Sequence, residues 1–216
     1  MMIRRGNSAD VALLQRLGRI TFEDTFGNTC TREDMKSVLS LYFNDAQCLL
    51  ELTDEEDHFY FFEEDGVAKG YMRINAKHDC EIEALKSNRC LELVRLYVLK
   101  EFHGAGVANA LMDYAVELAK DWGYEYLYLS VWEYNFRARG FYEKHGFVNS
   151  GVENDFPLGS TPQTDYWFVK RLYAQLANNF GSHLRAFLAL LFLINNSRFS
   201  FCFTRYKASR TGYCSR

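Results

Sequence analysis

The 216-residue chain has only two prolines, no Cys-x-x-Cys pair and no apolar run long enough to span a bilayer. Each absence narrows the answer. Scarce proline beside 16% aromatic residues excludes a disordered chain and implies a buried core. The six cysteines (Cys30, Cys48, Cys80, Cys90, Cys202, Cys214) are scattered, and His78 beside Cys80 has no second ligand pair, so no metal is expected. Scattered thiols point to the reducing cytoplasm. The opening "MMIRRGNSAD" turns polar without an apolar segment, so no signal peptide is expected. The apolar run "AFLALLFLI" is about half of the roughly 20 residues a span requires; with its flanking basic residues it would at most lie on a membrane surface or against another protein.

Acidic residues are missing from one stretch. From Tyr173 to Arg216 there are six Lys or Arg and no Asp or Glu, so 28 acids stand against 19 bases in the preceding residues, a balance of −9. That body repels nucleic acid and favours cationic small molecules as partners. The composition and length fit one domain, residues 1–172, followed by a basic, partly apolar extension, 173–216, to which no role is assigned.

What is there alternates in period. "NSADVALLQRLGRITFEDTF" opens on a Ser8 or Asp10 cap and spaces Val11, Leu14, Leu17 and Phe22 along one helical face. "CTREDMKSVLSLYF" repeats the pattern behind Thr31, and "NDAQCLLEL" reads as a third, short helix. "HFYFFEEDGVAKGYMRINA" reads as a hairpin turning at Gly66. Then come a strand "CLELVRLYVL", a helix "GVANALMDYAVELAKDW", a strand "YLYLSVW", a helix "NFRARGFYEKHG" and a strand "TDYWFVKRL". The alternation predicts a mixed α/β sheet.

One stretch joins strand to helix through glycines: "HGAGVANAL", His103 to Leu111. A glycine turn feeding a helix N-terminus aims free N–H groups and the positive end of the dipole at a phosphate. The pattern lacks the Gly-Lys-Ser/Thr of a Walker A loop, and Asn109 stands where a dinucleotide fingerprint needs its third glycine. A different phosphate ligand is implied.

"LYVLKEFHGAGVANALM" followed by "LSVWEYNFRARGFYEKHGF" resembles the acetyl-CoA-binding core of the GNAT family of N-acetyltransferases. His103, Gly106 and Ala108 take the positions of its Q/R-x-x-G-x-G/A turn. Asn135, Ala138, Phe141, Tyr142, Lys144, Gly146 and Phe147 meet its N-x-x-A-x-x-F-Y-x-K-x-G-F segment. Within the family, "TFEDTF", "LELVRLYV", "SVWEYN" and "QTDYWFVK" are similar to the bacterial Pai-type spermidine/spermine acetyltransferases. The resemblance implies a mostly antiparallel sheet flanked by helices, with a splayed central strand pair that binds acetyl-CoA.

It also assigns roles. Acetyl-CoA would be held by the main chain at Leu96, Tyr97 and Val98, by the turn His103-Gly104-Ala105-Gly106-Val107-Ala108, and by Asn135 and Lys144. His103 departs from the family's Gln or Arg; protonated, it would add a charged donor. Tyr142 would protonate the departing thiolate, and Asn135, seven residues earlier on the same predicted helix, would hold the pantetheine arm. An alkyl ammonium, with a pKa of about 10.4, must lose a proton before it can attack, and Glu92 takes the family's base position. Glu23 and Asp24 would attract a polycation. Peptide N-termini or other small amines as acceptors, and a regulatory module that binds CoA without transfer, remain open beside the polyamine reading.

Overall fold

In the computed structural model, residues 1–77 and 80–172 are described; His78 and the extension from Tyr173, where the His–Cys and membrane-surface readings fell, lie outside them. The described elements run β1 (Met2–Arg5), α1 (Val11–Phe26), α2 (Arg32–Tyr42), α3 (Asp45–Thr53), β2 (Asp57–Glu64), β3 (Val67–Asn75), β4 (Cys90–Val98), α4 (Val107–Asp121), β5 (Tyr126–Trp132), α5 (Phe136–Lys144), β6 (Val148–Asp155) and β7 (Thr164–Arg171). One sheet takes the order β1-β2-β3-β4-β5-β7-β6. Every neighbouring pair is antiparallel except β4 with β5. This is the expected mixed, mostly antiparallel sheet flanked by helices.

Local chemistry sets most boundaries. Thr31 caps α2 by accepting the Asp34 N–H at 3.0 Å, and Asn44 caps α3 through the Gln47 N–H at 2.9 Å. Asp65 (φ 52°) and Gly66 (φ 73°) form the two-residue hairpin turn that a right-twisted β2–β3 ribbon prefers. The first helix differs from the expectation. Asn7 caps a short 3-10 turn over Ser8–Asp10, and Asp10 is drawn aside to accept both Arg4 guanidinium N–H groups and the Asn7 N–H. The α-helix starts after it. Two strands were not anticipated: β1 is too short to display alternation, and β6, "VNSGVEND", is a polar, largely exposed edge with a break in register.

Sheet faces divide the core in two. Leu91 and Leu93 of β4 pack with Leu127, Leu129 and Val131 of β5 and with Leu111, Met112 and Ala115 of α4. On the opposite face Leu14 and Leu17 of α1 meet Phe59, Phe61 and Tyr71, while Phe22 and Phe26 meet Met35, Val38 and Phe43. Burying these apolar faces stabilises the layers by about 25 cal/mol per Å². A shift in register between Arg73 and Ile74 leaves Val94 of β4 as an extra residue. Such a bulge bends its strand and re-aims the side chains beyond it. The parallel pairing of β4 with β5 covers only Cys90–Tyr126, Leu91–Leu127 and Glu92–Tyr128, after which the strands part.

Candidate active site

The parting of β4 and β5 opens a slot through the sheet and joins its two faces. A cavity of about 980 Å³ fills it, lined by residues from both sides. On one side lie Leu96, Val98, His103, Ala108, Asn135 and Tyr142; on the other lie Phe22, Asp24, Glu92, Tyr97, Trp132 and Asp165.

The side beneath α4 and α5 is built mainly from backbone. Gly104 and Gly106 both sit at φ 84°, a region that side chains rarely adopt. A Cβ placed on either would meet nothing within 4 Å, so the glycines serve the turn's geometry and an open approach to it, not internal packing. Gly106 ends the turn as the left-handed N-cap of α4, with no side chain closing the helix. The N–H groups of Gly106, Val107, Ala108 and Asn109 have no backbone acceptor among the described residues. These donors and the helix dipole suit a phosphate, and the unpaired edge of β4 suits an extended amide chain. The arrangement fits acetyl-CoA. Val107 itself is buried in the core, so it contributes only its backbone.

Three expectations on this side change. His103 Nδ1 accepts from Arg137 at 2.6 Å, which leaves Nε2 to donate to the Val98 carbonyl at 2.9 Å. Both ring nitrogens are therefore engaged by protein in the neutral form, and the cation here is Arg137, not a protonated His103. Asn135 is the N-cap of α5, not a residue within it: its Oδ1 accepts the Ala138 N–H at 3.1 Å, leaving the amide nitrogen for a ligand. Lys144 is exposed and does not line the cavity. At about 100° per residue it lies around α5 from Tyr142, which does.

Tyr142 is held edge-on between Phe141 and Phe147, with ring centroids 5.5 and 5.8 Å away. Its hydroxyl has no hydrogen-bond partner among the described residues, and burial raises its pKa, with Tyr97 adding to the rise. A phenol kept protonated in a cavity wall has a proton available to donate at neutral pH.

The opposite side is built from side chains. Glu92 faces it between Asn75 of β3 and Tyr128 of β5. Burial pushes Glu92 up to about 7, and the Arg73 charge only partly opposes this. A carboxylate poised near neutrality in a cavity is suited to accept a proton. Both acids are exposed, but Asp24 lines the wall and Glu23 does not. The expected acid pair is thereby reduced to one member, because adjacent helical residues point about 100° apart. Tyr97, expected to contribute backbone, also brings its ring to this side, where burial pushes its hydroxyl up to about 12.

Sequence reading missed two constellations here. Glu51 of α3 accepts Arg95 Nη1 and Nη2 at 2.7 and 3.0 Å and Arg73 Nη1 at 2.9 Å. Asp57 accepts Arg73 Nε and Nη2 at 3.0 and 2.5 Å, and Asn75 at 2.7 Å. The two arginines are thus neutralised by two acids. Asp165 of β7 is the second constellation, bonded to Ser130 at 3.0 Å and raised by burial to about 6. Its signal was present: a charge at a core-facing position in the aromatic strand "TDYWFVKR". Aromatic rings complete the wall, with Phe26 between Phe22 at 4.7 Å and Trp132 at 5.8 Å.

Residues 20–147 match the acetyltransferase (GNAT) family model. The chain is 34% identical over 156 residues to an uncharacterized N-acetyltransferase in the pepI 3′ region of Lactobacillus delbrueckii subsp. lactis, covering 72% of this chain and 88% of that protein. It is 33% identical over 140 residues to an uncharacterized N-acetyltransferase of Mycobacterium tuberculosis, covering 65% and 83%. Its fold is similar to the crystal structure of PaiA N-acetyltransferase from Thermoplasma acidophilum in complex with coenzyme A, with a TM-score of 0.64 and 19% identity over 79% of this chain and 99% of that one. A family match across more than half the chain, joined to a slotted sheet and an open glycine turn, places this protein in the acetyltransferase (GNAT) family as an N-acetyltransferase that takes its acetyl group from acetyl-CoA.

Proposed function

We propose that residues 1–172 form one cytoplasmic N-acetyltransferase domain that acetylates a primary amine of a small cationic acceptor, a polyamine such as spermidine or spermine. The observation that carries the acceptor class is the charge of the slot. Arg73 and Arg95 are neutralised by Glu51 and Asp57, so the carboxylates left facing the cavity give its acceptor end a negative character. Rings of Phe22, Phe26 and Trp132 beside them suit an ammonium and its methylenes. The −9 balance of the body and the Pai-type motifs agree with this reading. Reduced Cys30, Cys48, Cys80 and Cys90 agree with the compartment.

In this reading the β4 edge at Leu96 and Val98, the turn from His103 to Ala108 and the Asn135 amide hold acetyl-CoA. Glu92 takes a proton from the acceptor ammonium, directly or through water. The neutral nitrogen then attacks the thioester carbonyl; a C–N bond forms, the nitrogen releases a second proton to solvent, and the C–S bond breaks to give the amide and the CoA thiolate. Tyr142 gives its hydroxyl proton to the thiolate and recovers one from solvent.

Acetyl-CoA turnover across polyamines, monoamines, amino acids and peptides tests the proposal. Attraction between exposed charges is screened over about 8 Å at physiological salt, so the KM for spermidine rises with added salt more than that for a monoamine. Charge reversal at Asp24 weakens spermidine selectively. Equal kcat/KM for spermidine and a monoamine at low salt, without a differential salt response, sinks the polyamine assignment and leaves acetyl transfer intact.

A further inference from the structure

Four acids are buried among the described residues: Asp10, Glu51, Asp57 and Asp165. The first three each meet an arginine: Arg4 for Asp10, Arg73 and Arg95 for Glu51, and Arg73 for Asp57. Asp165 meets none. It is 8% exposed, and its only hydrogen bond among the described residues is from the Ser130 hydroxyl to Oδ2. Oδ1 has no donor, and the residue lines the cavity. A buried carboxylate without a counter-charge is costly, and each of the other three has been given a cation.

The surroundings indicate what the cavity side is shaped to receive. In the β5–β7 register Asp165 lies opposite Trp132, and Trp167 lies opposite Ser130; both tryptophans line the same cavity. Ser130 stands two residues beyond Tyr128, the partner of Glu92, so roughly 7 Å of β5 separates the Glu92 position from the Ser130–Asp165 pair. A carboxylate on a cavity wall that also carries two tryptophans, a short methylene chain's length from the proposed base, matches a second positive charge on the acceptor. Guanidinium groups that would compete, Arg73 and Arg95, are already held by Glu51 and Asp57.

We propose that Asp165, oriented by Ser130, binds the second ammonium of the acceptor and thereby selects di- and polyamines over monoamines. The inference rests on the polyamine reading of this cavity. It goes beyond that reading by naming a substrate-binding residue on β7, an element distinct from those that carry Asp24 and the CoA turn.

Initial rates with 1,4-diaminobutane and with n-butylamine, each at saturating acetyl-CoA, test it in the full chain. Asp165→Asn should lower the diamine-to-monoamine ratio of kcat/KM by about tenfold or more, chiefly through the diamine KM, as expected for loss of a charge-assisted contact. An equal loss on both amines would make Asp165 part of proton transfer or of the fold, and an unchanged ratio would leave it without a role in binding; either overturns the proposal. A diamine spacer series gives a second readout. Asp165→Glu extends the carboxylate by one methylene, so the preferred diamine should become shorter by one; an optimum that stays in place counts against the assignment. If the wild-type enzyme prefers no diamine or polyamine over butylamine, the polyamine reading itself fails and this inference with it. A wild-type preference that survives Asp165→Asn removes Asp165 alone.

Discussion

The two sides of the slot solve the problem of holding a ligand in different ways. Beneath α4 and α5 the donors are backbone N–H groups displayed by a glycine turn, and few side chains are committed to the ligand. On the α1–α3 side the wall is made of buried charges and rings drawn from α1, α3, β3, β4, β5 and β7. Backbone presents the same groups whatever the neighbouring residues, so one turn suffices for a co-substrate that does not vary. Side chains can be exchanged singly, so they suit the half that must choose an acceptor. The cost of that freedom is desolvation: Glu92, Tyr97 and Asp165 are all shifted toward their neutral forms by burial.

The contrast can be broken most severely at Glu92. Glu92→Gln should lower kcat on the order of 10²- to 10⁴-fold while acetyl-CoA affinity, measured by calorimetry, changes little. The same group gives two opposite pH slopes. The base works ionised, so wild-type kcat/KM rises with pH and levels off above about 7. Stability runs the other way: the unfolded chain ionises this glutamate near 4.3, about its reference pKa, whereas the folded chain keeps its proton to about 7, so stability falls as pH climbs between the two. Glu92→Gln should flatten both curves; a mutant retaining the kinetic limb would assign the base elsewhere.

Tyr142→Phe keeps the ring between Phe141 and Phe147 and removes only the hydroxyl. Turnover should fall by roughly 10²-fold or more where chemistry limits the rate, with CoA affinity preserved. Undiminished turnover under those conditions takes Tyr142 out of the mechanism.

Glu51→Ala tests the side-chain half as a structure. It leaves the Arg95 guanidinium, whose side chain is 12% exposed, buried without its acid. Breaking such a pair costs about 3–5 kcal/mol, read from urea unfolding. A loss below about 1 kcal/mol would mean that the cation over the Phe43 ring, 5.1 Å from its centroid, carries the arginine unaided.

The smallest change is on the backbone half. Gly106→Val forces a branched residue to φ 84°, at about 1–3 kcal/mol, and fills the open space before the turn. Acetyl-CoA affinity should drop about tenfold or more, with acceptor selectivity retained. Unchanged affinity in a folded variant would move the phosphate site away from this turn.

The sequence alone determined what depends on neighbours along the chain. Leu14 and Leu17 are buried as their helical spacing requires, Thr31 caps α2, Asp65 and Gly66 turn the hairpin, and Gly104 and Gly106 adopt the left-handed backbone of a strand-to-helix turn. Each follows from the covalent geometry of a few consecutive residues. The residue spacing of the turn and of the Asn135–Phe147 segment carried the family for the same reason. Tertiary structure decided which side chains meet. Ser130 finds Asp165 across 35 positions, Arg95 finds Glu51 across 44, and the bulge at Val94 together with the parting of β4 from β5 turns Glu92 and Tyr142 toward one cavity from opposite faces of the sheet. No local pattern encodes those meetings, because strand register and layer packing are fixed only when the whole apolar surface is buried together.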